Sequence, residues 1–240
     1  MRRIANTIRG IVRKFGYDII RYPPTKPLIS RTAKILKNHN ITVVLDVGAN
    51  IGQYAKKLRA IKFGGRIISF EPLSSAYKEL KDNAQNDKYW ETHNLALGAM
   101  NGTTLINIAG NSFSSSLLDM LPSHVKSAPE SRYVGQEEIE IASLDSMFSF
   151  LCSPTDKVFL KIDTQGYEKK VIEGAKKSLK LIDFIQLEMS LVPLYNGELL
   201  FDEMRVLLNR AGYCLISIDP GFTDQDTGHV LQVDGIFQRL

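Results

Sequence analysis

An α/β domain, with strands and helices alternating around a buried parallel sheet, is the fold this sequence predicts, and three observations predict it. The first is the run VVLDVGANIG at residues 43–52. Its β-branched stretch suits a strand buried on both faces, and Gly48, Asn50 and Gly52 then break it before the helical stretch YAKKLRAIKF. The second is Glu71, which closes the next apolar run, RIISFE, ahead of Pro72. Glycines at a strand-to-helix turn let the backbone approach a ligand at the helix N-terminus, and a carboxylate ending the second strand is where such folds grip two ribose hydroxyls. The third is the βα rhythm of everything downstream.

Residues 74–87 carry Ala76, Tyr77, Leu80 and Ala84 at helical spacing, with Ser74 the expected N-cap. Residues 89–97 read as one strand, Asn101-Gly102 as a tight turn and residues 103–109 as a short strand. The polar, Ser-rich stretch 111–131, interrupted by proline, is a loop long enough to be functional. Residues 138–144 alternate as a strand. KVFLKID, residues 157–163, is a buried strand ending in a carboxylate, and helical GYEKKVIEGAKKSL follows it. IDFIQLE, residues 182–188, repeats that design. A helix over 199–210 stops at Gly212, and residues 213–218 and 230–237 close the domain as two strands.

With 240 residues and 44% hydrophobic content the chain can bury one substantial core, assigned to residues 41–240. Cys152 and Cys214 form no C-x-x-C pair, and His39, His93, His124 and His229 show no metal-ligand spacing. This argues for a reducing compartment and against a structural zinc, and no metal site is assigned. No apolar run reaches transmembrane length and the N-terminus lacks a signal-peptide core, so a cytoplasmic location is expected. The net charge of +4 hides an asymmetry: residues 1–37 hold ten Lys or Arg against Asp18, which makes that segment +9 and the rest −5. Ile4, Ile8, Ile11, Val12 and Phe15 recur at helical spacing opposite the basic residues. Residues 1–40 therefore read as a basic amphipathic helix and a linker, Tyr22-Pro23-Pro24 through Pro27. Such a helix either docks its apolar stripe on the domain or lies on an anionic membrane surface, giving a peripheral contact through residues 1–22. Nucleic acid is not an expected partner, because the basic face has few interleaved aromatics and the body is acidic.

Which ligand the glycine turn holds is decided in part by Asp46. A dinucleotide site needs G-x-G-x-x-G with pyrophosphate on the helix N-terminus. Here the spacing is G-x-N-x-G, and a carboxylate two residues before Gly48 would repel a pyrophosphate. S-adenosyl-L-methionine carries an ammonium and a sulfonium and no phosphate, so an acidic strand end suits it. The plainer alternative is that Asp46 only caps the turn and Glu71 only faces solvent.

DVGANIGQYA, SFEP, NLALGAMNG, IASLDSM, LKIDTQGYEKKVIEGA and LQVDGIF together resemble the FkbM family of S-adenosylmethionine-dependent methyltransferases, from about Val43 to the C-terminus. The resemblance implies the class I methyltransferase (Rossmann-like) fold, a mostly parallel seven-stranded sheet with helices on both faces. It implies O-methylation of a hydroxyl, often on a sugar, glycan or polyketide, and the TQGYE variant is similar to members that modify surface polysaccharides and glycolipids. Many members carry an acid, as in D-V-E-G, where this chain has Gln165.

In open α/β sheets the ligand lies outside the carboxyl ends of the strands, so Asp46, Glu71, Asp163 and Glu188 are expected to rim one crevice. Asp46 with Gly48, Asn50 and Gly52 is assigned to the methionine part of the donor, Glu71 to its ribose, and Ala96 and Leu97 to its adenine. An alcohol must lose its proton as it attacks, so a base is needed. Asp163 is the first choice and Glu188 the second, although Asp163 also stands where a carboxylate caps a following helix. The acceptor is expected to be a carbohydrate or glycolipid hydroxyl. Two rival functions are an NAD-dependent oxidoreductase, which NADH binding would revive, and a non-catalytic binding module, which failure to bind any donor analogue would support.

Overall fold

The structure, a computed structural model, describes residues 28–240 and, before them, only residues 12, 14 and 15. The expected basic helix and the 1–22 segment lie, apart from those three residues, outside the described part. The first described helix, α1 (Leu28–Asn38), precedes β1 (Val43–Val47), α2 (Gln53–Ala60), β2 (Arg66–Phe70), α3 (Ser74–Ala84), β3 (Trp90–His93), β4 (Ala96–Leu97) and β5 (Gly102–Ala109). There follow α4 (Pro122–Ser127), β6 (Tyr133–Ala142), α5 (Leu144–Leu151), β7 (Val158–Ile162) and α6 (Glu168–Glu173). The chain ends with β8 (Phe184–Ser190), α7 (Phe201–Arg210), β9 (Tyr213–Pro220) and β10 (Gln232–Arg239).

Seven strands form one sheet of order β3-β2-β1-β7-β8-β10-β9. Every neighbouring pair is parallel except those made by β10, which runs antiparallel to β8 and β9. Strand alternation sends two sets of side chains to two cores. Leu45, Val47, Leu160, Ile162 and Leu187 pack against Leu144 and Phe148 of α5, Val171 of α6 and Met204 and Leu208 of α7. Val44, Ile67, Phe159, Phe184 and Ile236 pack against Leu36 of α1, Ala55 and Leu58 of α2 and Leu80 of α3. A second sheet, β4-β6-β5, stands beside the first over a small core of Leu73, Ala76, Ala96, Ile106, Ile139 and Ile141.

Several local expectations change: the stretch 111–131 contains α4, β6 begins at Tyr133, and β8 runs past Glu188 to Ser190. The single strand over 89–97 is two strands in two sheets, because the Asn94 side chain turns back to donate to the carbonyls of Glu71 and Pro72 at 3.0 and 2.8 Å. Ser74 is not the N-cap of α3: Leu73 holds that position, and Ser74 donates its N–H and hydroxyl to Glu137 on β6. The helix expected over GYEKKVIEGAKKSL is only Glu168–Glu173. A Cβ at Gly174 would stand 1.9 Å from the Gly98 carbonyl oxygen, so the chain passes there as bare backbone. It then tightens into a 3-10 turn, Ser178–Leu181, whose Ser178 N–H and hydroxyl donate to Asp145.

Candidate active site

One register line across the main sheet departs from the apolar pattern. Ser69 on β2 pairs with Asp46 on β1, Asp46 with Lys161 on β7, and Lys161 with Gln186 on β8. All four are buried. Charges are almost never buried unless paired, and this pair supplies its own compensation. The Lys161 ammonium stands 3.1 Å from Asp46 Oδ1, donates to the Gly48 carbonyl at 3.1 Å and reaches Asp163 Oδ2 at 3.5 Å. It also lies 5.5 Å from the centre of the Tyr54 ring. Burial alone would lower its pKa; the carboxylates of Asp46 and Asp163 outweigh that and hold it above the usual lysine range.

A cavity of about 570 Å³ opens at the carboxyl ends of these strands, where ligands of open α/β sheets bind. Gly48, Asn50, Glu71, Ala96, Leu97 and Asp163 all line it. Gly48 is required there: its φ is +73°, and a Cβ would fall 1.8 Å from the Asp163 carbonyl oxygen. The turn after β1 and the turn after β7 thus touch, backbone to backbone. Glu71 is 5% exposed and accepts the N–H groups of Asn50 at 2.8 Å and Leu73 at 2.9 Å. Burial outweighs those two bonds and raises its pKa to about 7. Beside it Phe70, Leu73, Leu97, Ile106 and Leu117 make an apolar section of wall.

The remaining assigned residues do not face the cavity. Asp46 is fully buried, and instead of reaching a ligand ammonium it anchors Lys161 and accepts from the Ser69 hydroxyl at 3.3 Å. Lys161 balances the Asp46 charge inside the sheet, so that charge, contrary to expectation, does not by itself select a sulfonium over a pyrophosphate. Gly52, with φ +86°, serves packing, since a Cβ there would meet the Trp90 ring at 2.6 Å. Glu188 does not line the cavity either; its Oε2 accepts from the Gln165 amide at 3.0 Å. Burial, then the charges of Asp163, Asp234 and Glu168, push its pKa well up.

Several lining residues were not assigned from the sequence: Lys161, Gln186, Asp234, Tyr54 and Lys57. Tyr54 donates to Gln186 Oε1 at 3.0 Å. Burial and then Asp163 raise the Asp234 pKa to about 6. One signal was available for two of them: a lysine and a glutamine inside otherwise apolar strands, KVFLKID and IDFIQLE, mark a buried polar partner or a site. Among the described residues no group of three or more His, Cys, Asp or Glu is arranged to hold a metal ion.

The strand order, the lone antiparallel β10 and a cavity between a glycine turn and an acidic second strand define a class I methyltransferase architecture. Residues 46–215 match the model of the methyltransferase FkbM domain, and the chain belongs to that family. It is 25% identical over 195 residues to the 2-O-methyltransferase NoeI of Sinorhizobium fredii (strain NBRC 101917 / NGR234), covering 78% of this chain and 79% of that protein. Among crystal structures it is similar to the methyltransferase domain of bacterial CtHen1-CN, with TM-score 0.48, 13% identity, and coverage of 88% of this chain and 96% of that one. It is likewise similar to the Burkholderia thailandensis 1,6-didemethyltoxoflavin-N1-methyltransferase bound to 1,6-didemethyltoxoflavin and S-adenosylhomocysteine. There the TM-score is 0.48, with 11% identity and coverage of 90% and 79%.

Proposed function

We propose that this protein is an S-adenosylmethionine-dependent O-methyltransferase acting on a hydroxyl of a sugar, glycan or glycolipid. The observation that carries the reading is the make-up of the cavity at the carboxyl ends of the strands. At one end a buried carboxylate, Glu71, and an apolar wall suit a nucleoside; at the other stand Asp163 and Asp234 with Lys57 and Gln186. The family and the 2-O-methyltransferase relative support the choice of oxygen as the acceptor atom.

The residues present fit the donor. Glu71 uses its two oxygens for one backbone N–H each, and a carboxylate has about four lone-pair sites, so two ribose hydroxyls can still donate to it. Ala96, Leu97, Leu73 and Ile106 would hold the adenine, and the bare backbone at Gly48 with Asn50 the methionine end. The donor supplies a methyl group on a sulfonium, which leaves the bonding pair on sulfur as a neutral thioether. Asp163 would take the proton of the acceptor hydroxyl as its oxygen bonds to the methyl carbon, and its side chain, 42% exposed, is open to the cavity. Lys161 and Gln165 fix that carboxylate from two sides. Most of the acceleration then comes from alignment.

Calorimetric titration with S-adenosylhomocysteine tests the donor site. Glu71→Ala is expected to weaken binding about ten- to a hundred-fold, the value of one or two hydrogen bonds to a charged group. Equal binding by parent and variant, or NADH binding in place of S-adenosylhomocysteine, would defeat the assignment. With labelled donor and glycolipid or polysaccharide fractions, Asp163→Asn is expected to lower methyl transfer by about 10²–10⁴.

A further inference from the structure

Gln165 stands where a chain of this family often has an acid, and the structure gives the amide a set of partners that an acid would not tolerate. Its backbone is left-handed, φ 55°, and its carbonyl oxygen accepts from the Ser116 hydroxyl at 2.7 Å. The next residue, Gly166, has φ 93°, and a Cβ there would meet Tyr195 Cβ at 2.9 Å. The turn is therefore pressed against Tyr195, which is 1% exposed. The Tyr195 hydroxyl donates to Gln165 Oε1 at 2.8 Å, and the two carboxylates on the other side, which accept when ionised, fix that end of the amide as nitrogen. The nitrogen then points the other way, and donates to Asp163 Oδ1 at 2.9 Å and to Glu188 Oε2 at 3.0 Å. An amide nitrogen has two hydrogens, and both carboxylates are within reach of it.

We propose that Gln165 is a positioning residue for methyl transfer: anchored by Tyr195, its amide holds the Asp163 carboxylate at the cavity and ties Glu188 back beside it. This rests on the reading of Asp163 as the base. Three features of the geometry make the role specific. Asp163 Oδ1 faces Gln165 while Oδ2 faces Lys161 at 3.5 Å, so the plane of the carboxylate is set by two donors on different elements. Glu188 lies behind Gln165 and off the cavity wall, so its part is to hold the amide rather than to touch an acceptor. An ionised glutamate at position 165 has no hydrogen to give either neighbour and would add a third acid to the pair, whereas the amide offers each of the two a hydrogen.

The test follows the carboxyl carbons of the full-length protein by ¹³C NMR through a pH titration, with Glu188→Gln used to assign the Glu188 signal. Gln165→Met keeps the shape and the backbone strain and removes the donor, and Gln165→Glu adds a charge. Tyr195→Phe removes the anchor, together with the 3.4 Å bond from the same hydroxyl to the Ser114 carbonyl, and stands in should Gln165→Met not fold. The Glu188 signal is expected to titrate higher in Gln165→Met than in the parent, by about one pH unit, and higher again in Gln165→Glu. Crystals of Gln165→Met should show the Asp163 carboxylate turned to Lys161 with both oxygens. A Glu188 titration that coincides in parent and Gln165→Met, with Asp163 in its original rotamer, overturns the proposal. Failure of the parent to bind S-adenosylhomocysteine would instead defeat the donor assignment, and leaves the titration to decide the clamp by itself.

Discussion

Lys161 is the residue on which both halves of the cavity depend. It ties Asp46 of β1, the carbonyl that opens the glycine turn and the candidate base Asp163 with one ammonium group. Removing it strands Asp46, which is fully buried and, among the described residues, has only the Ser69 hydroxyl besides. An uncompensated buried charge costs about 3–5 kcal/mol, whereas replacing both partners of a buried pair by neutral groups is often close to free. Lys161→Met is therefore expected to lose about that much stability in a denaturant titration, and Asp46→Asn with Lys161→Met to recover most of it. Additive losses in the double variant would show that the pair is not coupled and that this account of the register line is wrong. The same logic explains why sequence reading misplaced Asp46. A strand-end acid next to a glycine turn reads as a ligand contact until the cross-strand partner is known, and nothing local in VVLDVG points to a lysine more than a hundred residues on.

At the scale of elements, the glycine turn, Glu71 and the two strands ending near Asp163 and Glu188 were legible because each is written in a few consecutive residues. The second sheet was not, since β4 is two residues long and pairs with β6 some forty-five positions away. Helix α1 was read as part of a linker segment, yet it walls the cavity with Leu28, Ile29 and Thr32 and buries Leu36 against the sheet. Its attachments differ in kind, and so should their worth. Leu36, 4% exposed, sits in a close-packed core, so Leu36→Ala is expected to cost about 2–4 kcal/mol. The Arg31 pair with Asp219 on β9 has its guanidinium 40% exposed, and Arg31→Ala is expected to cost about 1 kcal/mol or less. Thermal denaturation of the two variants separates them; a larger loss from Arg31→Ala would mean that the ion pair, not the apolar stripe, seats the helix.

For the molecule as a whole, the site concentrates acids that burial keeps from ionising, and that has a consequence for stability. Burial raises Glu71 and Glu168 to about 7 and Asp234 to about 6, and Glu188 also stands well above its ordinary value. In the unfolded chain these acids ionise near 4 to 4.5. Between about pH 4.5 and 7 the unfolded state gives up protons that the folded state keeps, so the folded state loses stability as pH rises. A rise from 4.5 to 7 corresponds to about 3 kcal/mol for each of Glu71 and Glu168. Surface carboxylates with lowered pKa, such as Asp87, Asp145 and Asp156, are already ionised in both states across this window and do not offset it. His124 works the other way: burial lowers its pKa, so its contribution improves as pH rises toward its ordinary 6.5. One histidine opposes four acids, and the acids win. The melting temperature of the ligand-free protein is thus expected to fall by on the order of 10 °C between pH 5 and 7.5. Glu71→Gln, which has no proton to lose there, should show a shallower fall. Saturating S-adenosylhomocysteine should flatten the parent's curve too, because two ribose hydroxyls favour the ionised carboxylate and the bound state no longer holds the proton. A melting temperature that climbs steadily through the same interval would mean that these acids are ionised in the folded protein, and that its cavity is far wetter than its packing implies.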